Sequence, residues 1–203
     1  MSNMYSYMDT QRFNLGYARE HPNAMFFGLF DLIRVIYEKK VEESKPHWPP
    51  PKIKMLEIGS HMGESIMMFA SSNIFSEVHC IEPFEGYEKF NDVNNYDWNF
   101  IQEQFNINTR FFDNIILHND FSYNVVSNFE DETFDFIYID ANHEYEHIKR
   151  DIELYLPKLK KDGIFGGHDY YEEKWPGVVN AVNEVFGKPK HTFFDTSWLT
   201  YDI

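Results

Sequence analysis

The sequence of 203 residues has little cysteine, little positive charge and no long apolar run. Its single cysteine, Cys80, excludes an internal disulfide framework and is typical of a reducing compartment. Only 18 lysines and arginines stand against 33 aspartates and glutamates, and the net charge of −15 repels phosphate backbones, so we expect no nucleic-acid partner. Apolar runs such as residues 24–27 are too short to cross a bilayer, and residues 1–13 lack the apolar stretch of a signal peptide. These absences predict a cytoplasmic protein without a membrane partner.

The first fifty residues differ in pattern from the rest of the chain. Apolar residues recur there at spacings of three and four, which predicts one buried helical face made of Phe26, Leu29, Phe30, Ile33 and Tyr37. The following segment, 45–51, contains four prolines and cannot continue a helix. We therefore expect a helical extension and linker at residues 1–50 and a main domain at 51–203. The extension is also a surface that could pair subunits of a homo-oligomer.

From residue 53 onward, short apolar strands alternate with amphipathic helices. The pattern predicts strands at 54–58, 78–81, 114–117, 134–139 and 163–166, and helices at 64–72, 98–105, 143–159 and 178–186. Such alternation requires crossover connections and a parallel sheet that is covered by helices on both faces. Two short strands at 191–194 and 198–201 add an antiparallel edge. The expected fold is α/β, with a seven-stranded and mostly parallel sheet.

Polar residues follow the end of each parallel strand. The first strand is followed by two glycines, Gly59 and Gly63, which allow a tight turn and the close approach of a ligand. A strand-to-helix turn without any ligand would also account for them. Later strands are followed by Glu82, by residues 119–122, by residues 140–143 and by residues 168–170. Ligands of open parallel sheets bind at the carboxyl ends of the strands, so these groups predict one binding crevice.

The loop after the first strand indicates what kind of cofactor the crevice takes. It lacks the G-x-G-x-x-G pattern of a dinucleotide site, and Glu57 directly before it would repel a phosphate. S-adenosylmethionine has a sulfonium, an ammonium and a ribose but no phosphate. Its ribose hydroxyls suit a carboxylate such as Glu82 at the next strand end. The sequence therefore favours S-adenosylmethionine over NAD.

These residues resemble a known enzyme class. The pattern Glu57-x-Gly59-x-x-x-Gly63-x-Ser65, with Glu82, Asp120 and residues 134–187, resembles the class I S-adenosylmethionine-dependent methyltransferases. The most similar branch is that of the metal-dependent sugar O-methyltransferases of macrolide and aminocoumarin antibiotics, which is related to the cephalosporin-hydroxylase-like proteins. The resemblance implies a Rossmann-like sheet of order 3-2-1-4-5-7-6 with strand seven antiparallel. His61 departs from the pattern, because it stands where the common motif has its middle glycine.

The resemblance also implies how the methyl donor is held. The methionine part would lie against Gly59, Ser60, Gly63 and Ser65, with Glu57 at its amino end. The ribose would bind Glu82, and the adenine edge would lie at Asp120 and Phe121. Asp140 is a further candidate for cofactor contact. The methyl acceptor implied is a hydroxyl of a small molecule or a sugar.

The remaining implied roles concern a divalent cation, magnesium or manganese, and the catalytic base. Asp140 and Asp169 match carboxylates that hold the cation, and His168 stands where metal-binding members have a second carboxylate. Imidazole suits zinc, iron or manganese better than magnesium, so this substitution bears on the identity of the metal. His143 matches a histidine proposed as general base, and we expect it to act with Asp140. A helix cap is the alternative role for both residues.

Two other functions are compatible with parts of the sequence. Residues 143–147 read H-E-x-x-H, the signature of zinc metalloproteases, although a protease needs neither the glycine loop nor Glu82. The second alternative is a cofactor-binding module without activity. Aromatic residues near the strand ends are expected to shape the acceptor pocket, namely Phe84, Tyr87, Tyr170, Tyr171 and Trp175.

Overall fold

A computed structural model of the chain describes residues 24–42, 52–86 and 97–203. Its strands are β1 Ile53–Ile58, β2 Phe75–Ile81, β3 Ile115–His118, β4 Phe134–Ile139, β5 Leu159–Gly167, β6 His191–Thr192 and β7 Trp198–Tyr201. Its α-helices are α1 Ala24–Tyr37, α2 Glu64–Ser71, α3 Trp98–Thr109, α4 Ser122–Val125, α5 Tyr145–Tyr155 and α6 Pro176–Phe186. A π-helical turn, Glu38–Glu42, extends α1, and 3₁₀ turns at Val126–Asn128 and Leu156–Lys158 follow α4 and α5.

The seven strands form one sheet in the order β3-β2-β1-β4-β5-β7-β6. Strands β1 to β5 pair in parallel, whereas β7 is antiparallel to both β5 and β6. This arrangement confirms the predicted fold class. Because the strand order reverses at β1, which pairs with both β2 and β4, a crevice is expected at the carboxyl ends of these strands.

The core lies in two layers, one on each face of the sheet. Consecutive strand residues alternate between the layers, so that Phe136 faces one side with α1, α2 and α3, and Ile137 faces the other with α5 and α6. Both faces are buried, as a parallel sheet requires. Within the described part of the chain, no helix is long and apolar enough to cross a membrane.

Helix α1 is rotated relative to the prediction. Its fully buried residues are Leu29, Leu32 and Ile36, while Phe30 and Ile33 pack only at the margin of the core. Tyr37, predicted to be buried, is 39% exposed. The predicted and observed faces are neighbouring stripes of the same helix, and the sheet selects the one that contacts it. The side chain of Phe26, the linker 43–51 and Tyr87 lie outside the described residues.

The predicted helix at 143–159 is wrong at both ends. The side-chain oxygen of Asn142 accepts a hydrogen bond of 2.8 Å from the backbone N–H of Glu144, which forms a turn before α5 begins at Tyr145. Pro157 ends the helical region in a 3₁₀ turn, and Leu159 already belongs to β5. His143 therefore precedes the helix and is not in its first turn.

Candidate active site

A cavity of about 370 Å³ opens at the carboxyl ends of β1, β2, β4 and β5. Eight of the predicted site residues line it: Gly59, Ser60, Ser65, Glu82, Asp140, His143, His168 and Asp169. The other four, Glu57, Gly63, Asp120 and Phe121, are not among its lining residues. The structure thus brings the three predicted cation ligands and part of the residues predicted to bind the methyl donor to one cavity.

The loop after β1 depends on glycine. Gly59 has φ +87, and a Cβ atom there would lie 2.2 Å from the backbone oxygen of Asp140. Since no side chain fits at that distance, the loop can pass directly over the end of β4 only with glycine at this position. Gly63 also has a positive φ and is the N-cap residue that precedes α2. His61 between them is left-handed as well, with φ 44, although it is not a glycine.

The Glu57 carboxyl is completely buried beneath this loop. One of its oxygens accepts a hydrogen bond of 2.5 Å from the hydroxyl of Ser60, and the other accepts one of 2.6 Å from Ser65. Burial raises the pKa of Glu57 to about 8, although the two hydrogen bonds oppose that rise. In this arrangement Glu57 joins the loop to α2. Its predicted contact with the donor's amino group stays a prediction.

The Glu82 carboxylate holds the same loop from the end of β2. Its Oε2 accepts hydrogen bonds from the backbone N–H groups of His61, at 2.8 Å, and Ser60, at 3.2 Å. Its Oε1 accepts one of 3.0 Å from Phe84. Burial raises the pKa of Glu82, and the three backbone bonds counteract this. A carboxylate has about four acceptor positions, so these three hydrogen bonds leave about one of them open.

The segment after β3 approaches the cavity differently from the prediction. Asp120 is exposed, and its carboxylate accepts hydrogen bonds from the backbone of Phe121 and the amide of Asn124, which lower its pKa. Ser122, two residues after Asp120, lines the cavity, and its hydroxyl donates a 2.6 Å hydrogen bond to the buried Asp151. Ser122 belongs to the segment 119–122 that was expected at the crevice, although the sequence analysis gave it no role of its own.

The ends of β4 and β5 form a cluster of two carboxylates and two imidazoles. Asp140, His143 and Asp169 each offer one possible ligand atom, and these three atoms lie within 4.8 Å of one another. Nε2 of His143 lies 2.6 Å from Oδ2 of Asp169, within the distance of an ion pair. Nδ1 of His168 lies 3.3 Å from the same oxygen and 3.9 Å from Oδ1 of Asp140.

Burial and neighbouring opposite charges shift the pKa values of the cluster in opposite directions. Burial raises the pKa of Asp140, and the neighbouring His168 only partly offsets this. Burial also acts to raise the pKa of Asp169, but His143 and His168 outweigh it and lower that pKa. Burial would lower the pKa of His168, whereas the surrounding carboxylates of Asp140, Asp169 and Asp195 raise it to about 10. His168 is therefore the local counter-charge of the acidic groups.

The histidines of the H-E-x-x-H pattern do not form a protease site. His143 lies before α5, so it does not share a helical face with His147, and Nδ1 of His147 lies 3.3 Å from the guanidinium of Arg150. The group of possible metal ligands includes His143 but not His147. The zinc protease alternative thus lacks its geometry.

Trp175 is the one predicted aromatic residue found on the described cavity wall, where its ring stacks on His143 with 4.1 Å between centroids. Phe84 is instead buried against Phe105. Tyr170 donates to the amide oxygen of Asn183, and the exposed Tyr171 donates to Glu173. Trp98 and Lys174 line the cavity and were not predicted.

A divalent cation fits the residues that the cluster provides. The carboxylates of Asp140 and Asp169 are suitable ligands, and the imidazole of His143 lies beside them. The donor set of oxygen and nitrogen is chemically able to hold magnesium, manganese, iron or zinc.

The sheet order, the antiparallel seventh strand and the position of the cavity define a Rossmann-like α/β fold of the methyltransferase type. A family described as methyltransferase domain matches residues 56–170, which is more than half of the chain, and the chain belongs to this family. The protein is therefore an enzyme of methyl transfer, for which the family implies S-adenosylmethionine as donor. No curated protein matches the chain.

Solved structures share the fold. The calicheamicin methyltransferase CalS11 is 15% identical with a TM-score of 0.58, covering 99% of this chain and 92% of the other. A second CalS11 structure, described as an apo TDP-rhamnose 3'-O-methyltransferase, is 14% identical with a TM-score of 0.57, covering 99% and 93%. Spermidine synthase from Thermotoga maritima is 19% identical with a TM-score of 0.50, covering 74% and 53%. These likenesses confirm the Rossmann-like architecture that the sequence predicted.

Proposed function

We propose that the protein transfers the methyl group of S-adenosylmethionine to a hydroxyl oxygen of a small polyhydroxylated acceptor such as a sugar. The observation that carries the proposal is a single cavity with two chemically different ends. One end has the glycine loop with Glu82, and the other has Asp140, His143 and Asp169. The sugar acceptor is supported by the similar fold of the enzyme described as a TDP-rhamnose 3'-O-methyltransferase.

The first end of the cavity suits the methyl donor. Glu64, Glu82 and Glu85 line it, and their charge attracts a sulfonium and an ammonium while it repels phosphate. Glu82 has an acceptor position left for a ribose hydroxyl, as described above. The loop at Gly59 lets the backbone approach the ligand closely. Together these features favour S-adenosylmethionine over a dinucleotide.

The second end of the cavity suits an alcohol. Methyl transfer to oxygen is an in-line displacement, and the hydroxyl must lose its proton to become a good nucleophile. Asp140, His143 and Asp169 place proton acceptors at the end of the cavity where the acceptor hydroxyl would lie. Holding the hydroxyl oxygen, the methyl group and the sulfur in line lowers the reaction barrier by roughly several kcal/mol. A divalent cation bound by Asp140 and Asp169 would supply Lewis acidity to the acceptor oxygen.

The donor assignment is tested by thermal unfolding with S-adenosylmethionine, S-adenosylhomocysteine and NAD. A ligand at 100 times its Kd stabilises the folded state by about 2.7 kcal/mol, which for a domain of this size raises Tm by roughly 5–10 °C. We expect such a shift with the first two ligands and none with NAD. Glu82→Gln should reduce the shift in Tm that S-adenosylmethionine produces. The matched control Glu77→Gln changes a residue of β2 that does not line the cavity and should leave this shift unchanged. A shift with NAD alone would contradict the proposal.

An inactive cofactor-binding module is the second candidate, and turnover separates it from an enzyme. Transfer of labelled methyl groups to a panel of sugars and nucleotide-linked sugars is the measurement. We expect transfer with the unchanged protein and loss of turnover in Asp140→Asn with S-adenosylmethionine binding retained. Binding without transfer to any acceptor would favour the inactive module. The cytoplasmic location and the homo-oligomer stay predictions.

A further inference from the structure

Lys174 gives the cavity wall a positive charge. Among the described residues that line the cavity, it is the one lysine or arginine. The carboxylates that line the same cavity are those of Glu64, Glu82, Glu85, Asp140 and Asp169. A permanently positive side chain therefore gives one part of the cavity a preference that the rest lacks, namely for a negatively charged group.

The turn after β5 holds Lys174 at the cavity. The backbone N–H groups of Lys174 and Trp175 both donate to the carbonyl oxygen of Tyr171, at 3.3 and 2.8 Å. The ammonium nitrogen of Lys174 lies 5.0 Å from the ring centroid of Trp175, which is the distance of a cation–π contact. The residue is also exposed, so the ammonium group lies against the wall that Trp175 forms and stays accessible to a ligand.

Trp175 connects Lys174 to the end of the cavity where the acceptor hydroxyl would lie. The same indole stacks on His143, with 4.1 Å between centroids and 27° between planes. The two centroid distances, 5.0 and 4.1 Å, limit the separation between the ammonium group and the imidazole. A sugar ring with one charged substituent can span such a separation, so one acceptor is able to contact both residues.

The ammonium group of Lys174 forms no ion pair with the residues that the structure describes. Other lysines in this part of the chain do pair with carboxylates, namely Lys39, Lys54, Lys149, Lys158, Lys160 and Lys190. The carboxylate of the preceding residue, Glu173, instead accepts a hydrogen bond of 2.7 Å from the hydroxyl of Tyr171. Lys174 is therefore available to an anionic group that a ligand brings into the cavity.

We propose that Lys174 binds a negatively charged group of the methyl acceptor, so that the acceptor is a sugar or similar polyol that carries a phosphate or a carboxylate. The anionic group would lie at Lys174, and the hydroxyl that receives the methyl group would lie beside His143. The inference rests on the proposed function and makes Lys174 a specificity-determining residue for it.

The test compares four forms of each sugar in the acceptor panel: the neutral methyl glycoside, the 1-phosphate, the nucleoside diphosphate derivative and the uronic acid. We expect a higher kcat/KM for a charged form than for the neutral one, and the difference should shrink as ionic strength rises, because salt screens an exposed ion pair. The phosphate and uronic acid arms distinguish the two sources of the charge. Values that are equal or lower for all charged forms would overturn the inference.

Substitutions of exposed lysines assign the preference to one residue without a risk to folding. Lys174→Gln should lower the ratio of kcat/KM between the charged and the neutral form about fivefold or more, mainly through KM, because it removes a charge-assisted hydrogen bond. Lys174→Arg keeps the charge and should retain most of the preference. The matched control Lys188→Gln makes the same change in net charge outside the cavity, beyond the other end of α6, and should leave the ratio within twofold. An unaltered ratio in Lys174→Gln would overturn the inference.

Binding of the charged acceptor, measured without turnover, separates this inference from the proposed function. Calorimetric titration with the sugar 1-phosphate in the presence of S-adenosylhomocysteine should show weaker binding to Lys174→Gln than to the unchanged protein. Binding that depends on Lys174 without methyl transfer to any acceptor would refute the proposed function and leave the anion subsite in place. Methyl transfer to charged and neutral sugars with equal kcat/KM would refute the subsite and leave the methyltransferase assignment in place.

Discussion

Glu57→Gln should reverse its effect on stability between acidic and alkaline pH. In the folded state burial raises the pKa of Glu57 from 4.5 to about 8, so between these pH values the folded chain keeps a proton that the unfolded chain releases. Unfolding thus becomes easier as pH rises through this window, by about 1.4 kcal/mol for each pH unit. The full window corresponds to roughly 5 kcal/mol, as an order of magnitude.

Glutamine is neutral at every pH and lacks this dependence. At pH 5 the variant should be less stable by about 1–2 kcal/mol, because its amide nitrogen cannot accept from Ser60 or Ser65 and one hydroxyl must turn. At pH 8.5 the variant should be the more stable protein. Urea unfolding of both proteins from pH 5 to 8.5 measures the difference.

Asp151→Asn is the matched comparison for this experiment. Burial raises the pKa of Asp151 from 3.8 only to about 6, so its pH-dependent contribution should be complete by about pH 6.5. Above that pH only the Glu57 variant should still diverge from the unchanged protein. A constant difference between Glu57→Gln and the unchanged protein across the whole range would refute the reasoning.

Two further predictions concern the loop and helix α1. Gly59→Ala adds a clash with the backbone oxygen of Asp140 to the strain of a positive φ. Residue 187 also has a positive φ but nothing within 4 Å of an added methyl, so the free energy of unfolding should be lower in Gly59→Ala than in Gly187→Ala by about 2 kcal/mol or more. Equal urea midpoints for the two variants would contradict this. Leu32→Ala removes a fully buried side chain and should lower the free energy of unfolding by about 2–5 kcal/mol, whereas the exposed Tyr37→Ala should change it little. Equal losses in these two variants would show that α1 does not pack as described.

The order of the elements could be predicted because each apolar run has a length and period that suit only one element. The bounds predicted for β4 and β7 agree with the structure. The residues between Asn142 and Leu159 could not be placed from periodicity, because an apolar period continued through Pro157 into β5. There a side-chain turn and a proline decide the bounds, and both signals are present in the sequence.

The candidate site was predictable for those residues whose position is determined by the end of a strand. Glu82, Asp140 and Asp169 converge because the carboxyl ends of parallel strands meet at one edge of the sheet. The orientation of Glu57 was not predictable, since it depends on hydroxyls three and eight residues later that become its partners only in the folded loop. The contact of His143 with Asp169 likewise depends on how α6 packs.

Strand β7 sets a practical limit on how far the protein can be shortened. The family match ends at residue 170, but β7 covers the outer edge of β5 and buries Trp198 and Leu199 completely or nearly so. A fragment cut at the end of the match would leave that edge with unpaired amide and carbonyl groups and a bare apolar surface beside Gly166. Such an edge is a template for intermolecular strand pairing, so a fragment that ends at residue 170 should aggregate more than a chain that retains β7.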